Sequence, residues 1–268
     1  MSGESLLAAL KWQLDAGADE AIGEAPVDRF QDQPPAQEAA APPAAPAAAK
    51  AEPRPAPAPA IAALPGTMAG DAAAIAAEAE TLEDIRARLE TFEGCPLRQT
   101  ATNLVYYDGS PDAEIVFVGE APGAEEDRRG LPFVGPAGRL LDRMLQAIGL
   151  DRAQVLITNT LFWRPPGNRN PTPGEVAACL PFVERTIEIV APKVLVMVGG
   201  TAAKTLLQRS EGIMKLRGQW FDYQTPRMAR PVPAIAVFHP AFLLRSPAQK
   251  RATWRDLIEI KARLRDRG

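Results

Sequence analysis

Residues 115–148 read IVFVGEAPGAEEDRRGLPFVGPAGRLLDRMLQAI, and the pattern within them decides the architecture. The apolar, β-branched run 115–118 stops at Gly119, which is the length and composition of a strand buried on both faces of a parallel sheet. A polar, glycine-rich loop follows. Leu140, Leu141, Met144, Leu145 and Ile148 then recur at the spacing of one helix face. Working outward, the same kind of strand recurs at 155–158 (VLIT), 194–198 (VLVMV) and 234–238 (AIAVF), with helical segments between. Thr172-Pro173-Gly174-Glu175 is a capping box with proline at the first helical position, and it predicts a helix burying Val176, Leu180, Val183 and Ile187. A last helix is predicted from Ser246-Pro247, carrying Trp254, Leu257 and Leu264. Strands alternating with helices predict an α/β fold, a doubly wound three-layer αβα sandwich with a central, roughly four-stranded parallel sheet.

Upstream, helical periodicity covers 71–92, and before it the composition changes. From Pro34 to Ala60, 22 of 27 residues are Ala or Pro, which offer few backbone donors and little surface to bury, so this reads as a disordered linker. Residues 4–16 place Leu6, Leu7, Leu10 and Leu14 on one face of a short amphipathic helix. Two uses stay open for it: docking a protein partner, or folding back on the domain. The expected division is a short helix and tail over 1–30, the Ala/Pro-rich linker over 31–70, and one domain over 71–268.

The 268 residues carry 30 Lys+Arg against 33 Asp+Glu, a net charge of −3, but the charge is unevenly spread. Residues 1–93 hold 6 basic and 16 acidic side chains (−10), leaving 24 basic and 17 acidic (+7) for 94–268. A polyanion is a natural partner for the second part, with a solvated basic face as the plain alternative. Cys95 and Cys179 are the only cysteines, too few for a disulfide framework, and no basic n-region precedes an apolar run. A reduced, cytoplasmic protein is expected, with no membrane span. The single histidine, His239, excludes multi-histidine zinc sites and any Ser/His/Asp triad not built on it.

In a doubly wound sheet, ligands bind outside the carboxyl ends of the strands. The residues directly after the four predicted strands are Gly119-Glu120-Ala121-Pro122-Gly123, Asn159, Gly199-Gly200 and His239-Pro240, which converge on one rim. GEAPGAEED matches neither GxGxxG nor GxxxxGK followed by Ser or Thr, and three consecutive acids, Glu125, Glu126 and Asp127, would repel a diphosphate. A methyltransferase-like cofactor loop stays open. Carboxylates in that loop suit water activation or a cationic transition state.

Three segments, GEAPGAEEDRRGLPFVGPAGRLL (119–141), ITNTLFWRPPGNRNPTPGE (157–175) and FHPAFLLR (238–245), resemble in order and spacing the signature blocks of the family 4 uracil-DNA glycosylases. The resemblance covers about 94–265. It implies hydrolysis of the bond between uracil and deoxyribose in DNA after the base is flipped out, leaving an abasic site. By position it implies catalytic roles for Glu120, which would orient water or stabilise the sugar cation, for His239, which would donate to uracil O2, and for Glu126. Phe133 would stack on the base, Asn159 would read its edge, and Asn168 and the backbone N–H of Ala121 would face it. Arg164, Arg169 and Arg245, in the loops 164–169 and 243–245, would grip phosphates or wedge the gap. The implied partner is uracil-containing DNA, bound by a monomer.

That family carries an iron-sulfur cluster on four cysteines. Cys95 and Cys179 match two of those positions; Phe92 and Trp163 occupy the other two. Two thiolates cannot hold a four-cysteine cluster, so no metal and no cofactor are expected, with the apolar replacements filling the vacated volume. The loop FWRPPGNRNP holds no histidine, so covalent capture of DNA by a histidine in that loop, as in some relatives, is not expected. The rival expectation is a catalytically weak DNA-binding scaffold recruiting a partner through residues 4–16, and a third is a glycosylase for other deaminated bases.

Overall fold

The computed structural model describes residues 68–265. The expected helix at 4–16 and the linker at 34–60 lie outside the described residues. A first helix, α1 (Met68–Ala77), starts inside the stretch assigned to the linker. The periodic stretch 71–92 is two helices, because the Thr81 side chain caps a new one, α2 (Leu82–Thr91), in a capping box with Asp84.

The sheet has six strands: β1 (Tyr107–Gly109), β2 (Ile115–Gly119), β3 (Leu156–Asn159), β4 (Val194–Val198), β5 (Trp220–Tyr223) and β6 (Val232–Val237), ordered β1-β3-β2-β4-β6-β5. The four expected strands pair in parallel at its centre. Two short strands, β1 and β5, add antiparallel edges. They escape sequence reading because each is only half-buried and carries no unbroken apolar run.

Alternation along the central strands builds two cores. Val116, Val118, Leu195, Met197, Ala234 and Ala236 pack with α1, α2, α5 (Pro173–Val190) and α6 (Gly200–Leu207) on one face. Ile115, Phe117, Val194, Val196, Ile235 and Val237 pack on the other face with α4 (Pro136–Ala147), α8 (Pro240–Arg245) and α9 (Lys250–Arg265). The helices α3 (Ala124–Arg129) and α7 (Ile213–Leu216) complete the described set. This is the three-layer αβα sandwich. Two predicted faces hold in part: Val183, Ile187 and Leu257 are buried as expected, whereas Val176 and Leu180 are only half-buried because Cys179, Phe182 and Thr186 share the core side of α5, and Trp254 is 44% exposed.

Chain order fixes where a ligand fits. From β2 the chain crosses to β3 on one side, then returns past β2 to β4 and β6 on the other. Loops leaving β2 and β4 therefore diverge, opening a crevice at the carboxyl ends of the parallel strands.

Candidate active site

A cavity of about 500 Å³ opens in that crevice. Its walls include Glu120, Ala121, Glu126, Phe133, Asn159, Asn168, Arg169, His239 and Arg245, so the structure brings together every sequence-predicted site residue except Arg164.

Asn159 is the last residue of β3 and is 2% exposed, yet among the described residues nothing hydrogen-bonds its amide. The amide atoms themselves are open to the cavity, where they are free to pair with a ligand. The Phe133 ring reaches the same point. A Cβ at Gly119 would lie 2.4 Å from Asn159 Oδ1 and 2.5 Å from Phe133 Cζ, so only glycine lets ring and amide converge over the end of β2.

His239 is the N-cap of α8, and its Nδ1 accepts the Ala241 backbone N–H at 3.1 Å. That bond puts the proton of the neutral ring on Nε2, leaving an N–H donor at the cavity wall. Burial, and then the positive charge of Arg245, push the imidazole pKa down to about 4. The ring is thus a neutral donor at physiological pH. It lies stacked with Phe133, centroids 5.6 Å apart. Gly199, with φ +99°, leaves room for it, since a Cβ there would crowd the His239 Cβ at 3.1 Å.

Glu120 follows β2 directly, and its main chain is fixed by Thr160 Oγ1 and the Leu161 N–H, both donating to its carbonyl. Its carboxylate lines the cavity with no hydrogen-bonding or ion-pair partner among the described residues. Glu126 differs. Its carboxylate accepts the backbone N–H groups of Gly123 (3.1 Å), Val134 (3.0 Å) and Gly135 (2.8 Å), which occupies the lone pairs a general base would use.

The arginines also divide. Arg245 lines the cavity at the end of α8. Arg169 forms a bidentate pair with Glu175, at 2.9 and 2.5 Å, which also holds the N-terminus of α5. Arg164 stands outside the wall and donates through Nε to Asn168 Oδ1 at 2.8 Å, while Asn168 takes the left-handed conformation, φ +55°. In the segment 243–245, Leu243 is buried and Leu244 is 41% exposed.

Sequence reading missed the Ala241 N–H that sets the histidine tautomer, because a backbone donor leaves no residue signature. It also missed Phe242 and Asn170 in the wall. Both stand inside the quoted blocks, next to residues that were singled out.

The positions matching cluster ligands do not supply four thiolates. Phe92 and Trp163 are 5% and 3% exposed; Phe92 packs edge-on against Phe182, centroids 5.0 Å apart, and folds back over Gly94. Cys95 and Cys179 are both buried and unbridged. The neighbouring Cys95 thiol, reinforced by burial, holds the Cys179 thiol well above its ordinary pKa, so it is a small protonated core residue. Among the described residues no three His, Cys, Asp or Glu side chains group to hold a metal ion.

Fold and cavity together define a doubly wound α/β protein whose cavity presents an aromatic face, an amide and a neutral imidazole. The family model of the uracil DNA glycosylase superfamily matches residues 106–258, and the chain belongs to that family. It is 44% identical over 185 residues to the Type-4 uracil-DNA glycosylase of Archaeoglobus fulgidus, covering 68% of this chain and 92% of the relative. It is 39% identical over 192 residues to the Type-4 enzyme of Thermotoga maritima (70% and 97% covered) and 38% identical over 187 residues to that of Sulfurisphaera tokodaii (68% and 84% covered). Among the described residues no helix is long and apolar enough to cross a membrane.

Proposed function

We propose that this protein is a DNA-repair uracil glycosylase, hydrolysing the N-glycosidic bond of uracil in DNA and leaving an abasic site. The observation that carries the reading is the unpaired Asn159 amide beside the Phe133 ring and the His239 N–H in one cavity. A carboxamide accepts from uracil N3–H and donates to O4, whereas cytosine presents the opposite pattern and leaves both groups badly paired.

The base must leave the duplex to reach this depth, and Leu244 is the side chain suited to wedge the gap it vacates. As the C1′–N1 bond lengthens, its electron pair moves onto the uracil ring and charge gathers at O2. The Nε2–H of His239 donates there, and the Ala121 N–H offers a further donor to the base. Glu120, with an uncommitted carboxylate, stabilises the cationic sugar, orients the water that adds to C1′ and accepts the proton it sheds, which then passes through solvent to the departing uracil anion. Glu126 acts in this scheme by holding the loop rather than by moving a proton. Arg245 grips phosphate; Arg164 and Arg169 brace Asn168 and the loop around it.

The enzyme works without an iron-sulfur cluster, Phe92 and Trp163 packing where two ligands would stand. Metal analysis of the purified protein is expected to find no iron; strong visible absorption with about four irons per chain would overturn this. The working unit is one chain in a reducing, cytoplasmic setting, which suits two buried thiols, with residues 4–16 as the segment available to a protein partner.

The test is excision from a single-stranded oligonucleotide holding one uracil, read as alkali-sensitive cleavage. His239→Ala and Glu120→Ala are each expected to lower the rate about 100-fold, the size expected when one charge-stabilising group is lost. Salt-sensitive binding without cleavage by the wild type would refute the reading.

A further inference from the structure

Phe133 has φ +52°, a conformation that is strained for a bulky residue and persists only where its surroundings dictate it. The cation among those surroundings lies outside the cavity. Arg152, in the turn between α4 and β3, donates from Nη1 to the Pro132 carbonyl at 3.0 Å and from Nη2 to the Phe133 carbonyl at 2.5 Å. Its guanidinium is itself fixed by two carboxylates, Asp108 on β1 at 2.7 Å and Asp142 on α4 at 3.0 Å. On the opposite side Glu126 accepts the Val134 N–H. The peptide joining Phe133 to Val134 is therefore clamped along its own dipole, a cation at its oxygen and an anion at its N–H. Gly138 makes room for this arrangement, because a Cβ there would fall 1.7 Å from the Phe133 carbonyl oxygen.

We propose that Arg152 is a positioning residue for base recognition: its fork, braced by Asp108 and Asp142, sets the Phe133 backbone so that the ring meets the flipped base beside Asn159. Arginine is the residue this requires. Its planar donors reach two carbonyls and two carboxylates at once, whereas the ammonium of lysine, a point donor, cannot span them. The inference rests on the proposed role of Phe133 as the stacking platform.

The experiment compares wild type, Arg152→Ala, Arg152→Lys and Asp142→Asn in single-turnover excision at saturating enzyme, alongside affinity for a duplex holding a tetrahydrofuran abasic-site analogue. A displaced platform slows excision of a base that is bound and flipped, but leaves phosphate contacts to abasic DNA intact. Arg152→Ala is expected to lose at least tenfold in the saturating rate, with abasic affinity within twofold of wild type. Arg152→Lys is expected to recover little of it, and Asp142→Asn to fall between. An unchanged rate in folded Arg152→Ala overturns the inference, as does an equal loss of rate and abasic affinity, which marks a merely structural role. Should Arg152→Ala fail to fold, Asp142→Asn decides by the same two readouts. An inactive wild type overturns the glycosylase reading itself, whereas an active wild type with unaffected variants overturns only the clamp.

Discussion

The behaviour of His239 follows from three atoms around one ring. The Ala241 N–H occupies Nδ1, the cavity faces Nε2, and burial with the nearby Arg245 charge lowers the pKa from about 6.5 to about 4. The unfolded chain, with the ordinary value, takes up a proton as pH falls below about 6.5 while the folded chain does not, so stability declines from there to about pH 4 and levels off below. A gap of about 2.5 in pKa, at about 1.4 kcal/mol for each, corresponds to about 3 kcal/mol at the lower limit. The unfolding free energy from urea titrations should therefore fall further between pH 7 and pH 4 for wild type than for His239→Gln, by about that amount. An equal decline in both proteins would contradict a ring held neutral by the fold. The histidine itself was legible in the sequence, being the only one and standing at a strand end. Its tautomer was not, because that depends on a backbone group two residues on. Glu126 was legible as a loop carboxylate, but only the fold reveals that three amide groups occupy it.

At the scale of elements, the capping box at the start of α5 couples stability to the site. Thr172 Oγ1 accepts the Glu175 N–H and Glu175 accepts the Thr172 N–H, while the same carboxylate, buried to 5% exposure, binds Arg169 beside the cavity. Thr172→Ala should cost about 1 kcal/mol in urea unfolding, the usual worth of an N-cap, and leave the Arg169 pair in place. A loss near zero would mean that the Arg169–Glu175 pair alone holds this terminus. This box and the four parallel strands were readable because each signal is local: turn residues at fixed spacing, or an unbroken apolar run. The edge strands β1 and β5 were not, since they become strands only by pairing with β3 and β6. The Arg152 clamp was equally hidden, joining β1, α4 and the Phe133 loop across gaps of 44, 10 and 19 residues.

Over the whole molecule the cavity collects at one end of the sheet the groups that would meet DNA, and this polarity predicts how binding responds to salt. Arg245 stands at the carboxyl end of the parallel strands, in the cavity wall. Arg230 stands just before β6, at the amino end of the same sheet. If DNA lies over the cavity, each phosphate contact releases counterions and steepens the fall of log K with log salt by about 0.7–0.9. Arg245→Ala should then weaken binding to an abasic duplex and flatten that slope by about one contact. Arg230→Ala should leave both unchanged, although it removes the same formal charge from the chain. Titrations of the three proteins between about 50 and 200 mM salt decide the matter. Equal flattening by both substitutions would mean that the excess positive charge of residues 94–268 acts as a diffuse field, and that the cavity end of the sheet holds no privileged contact with the backbone.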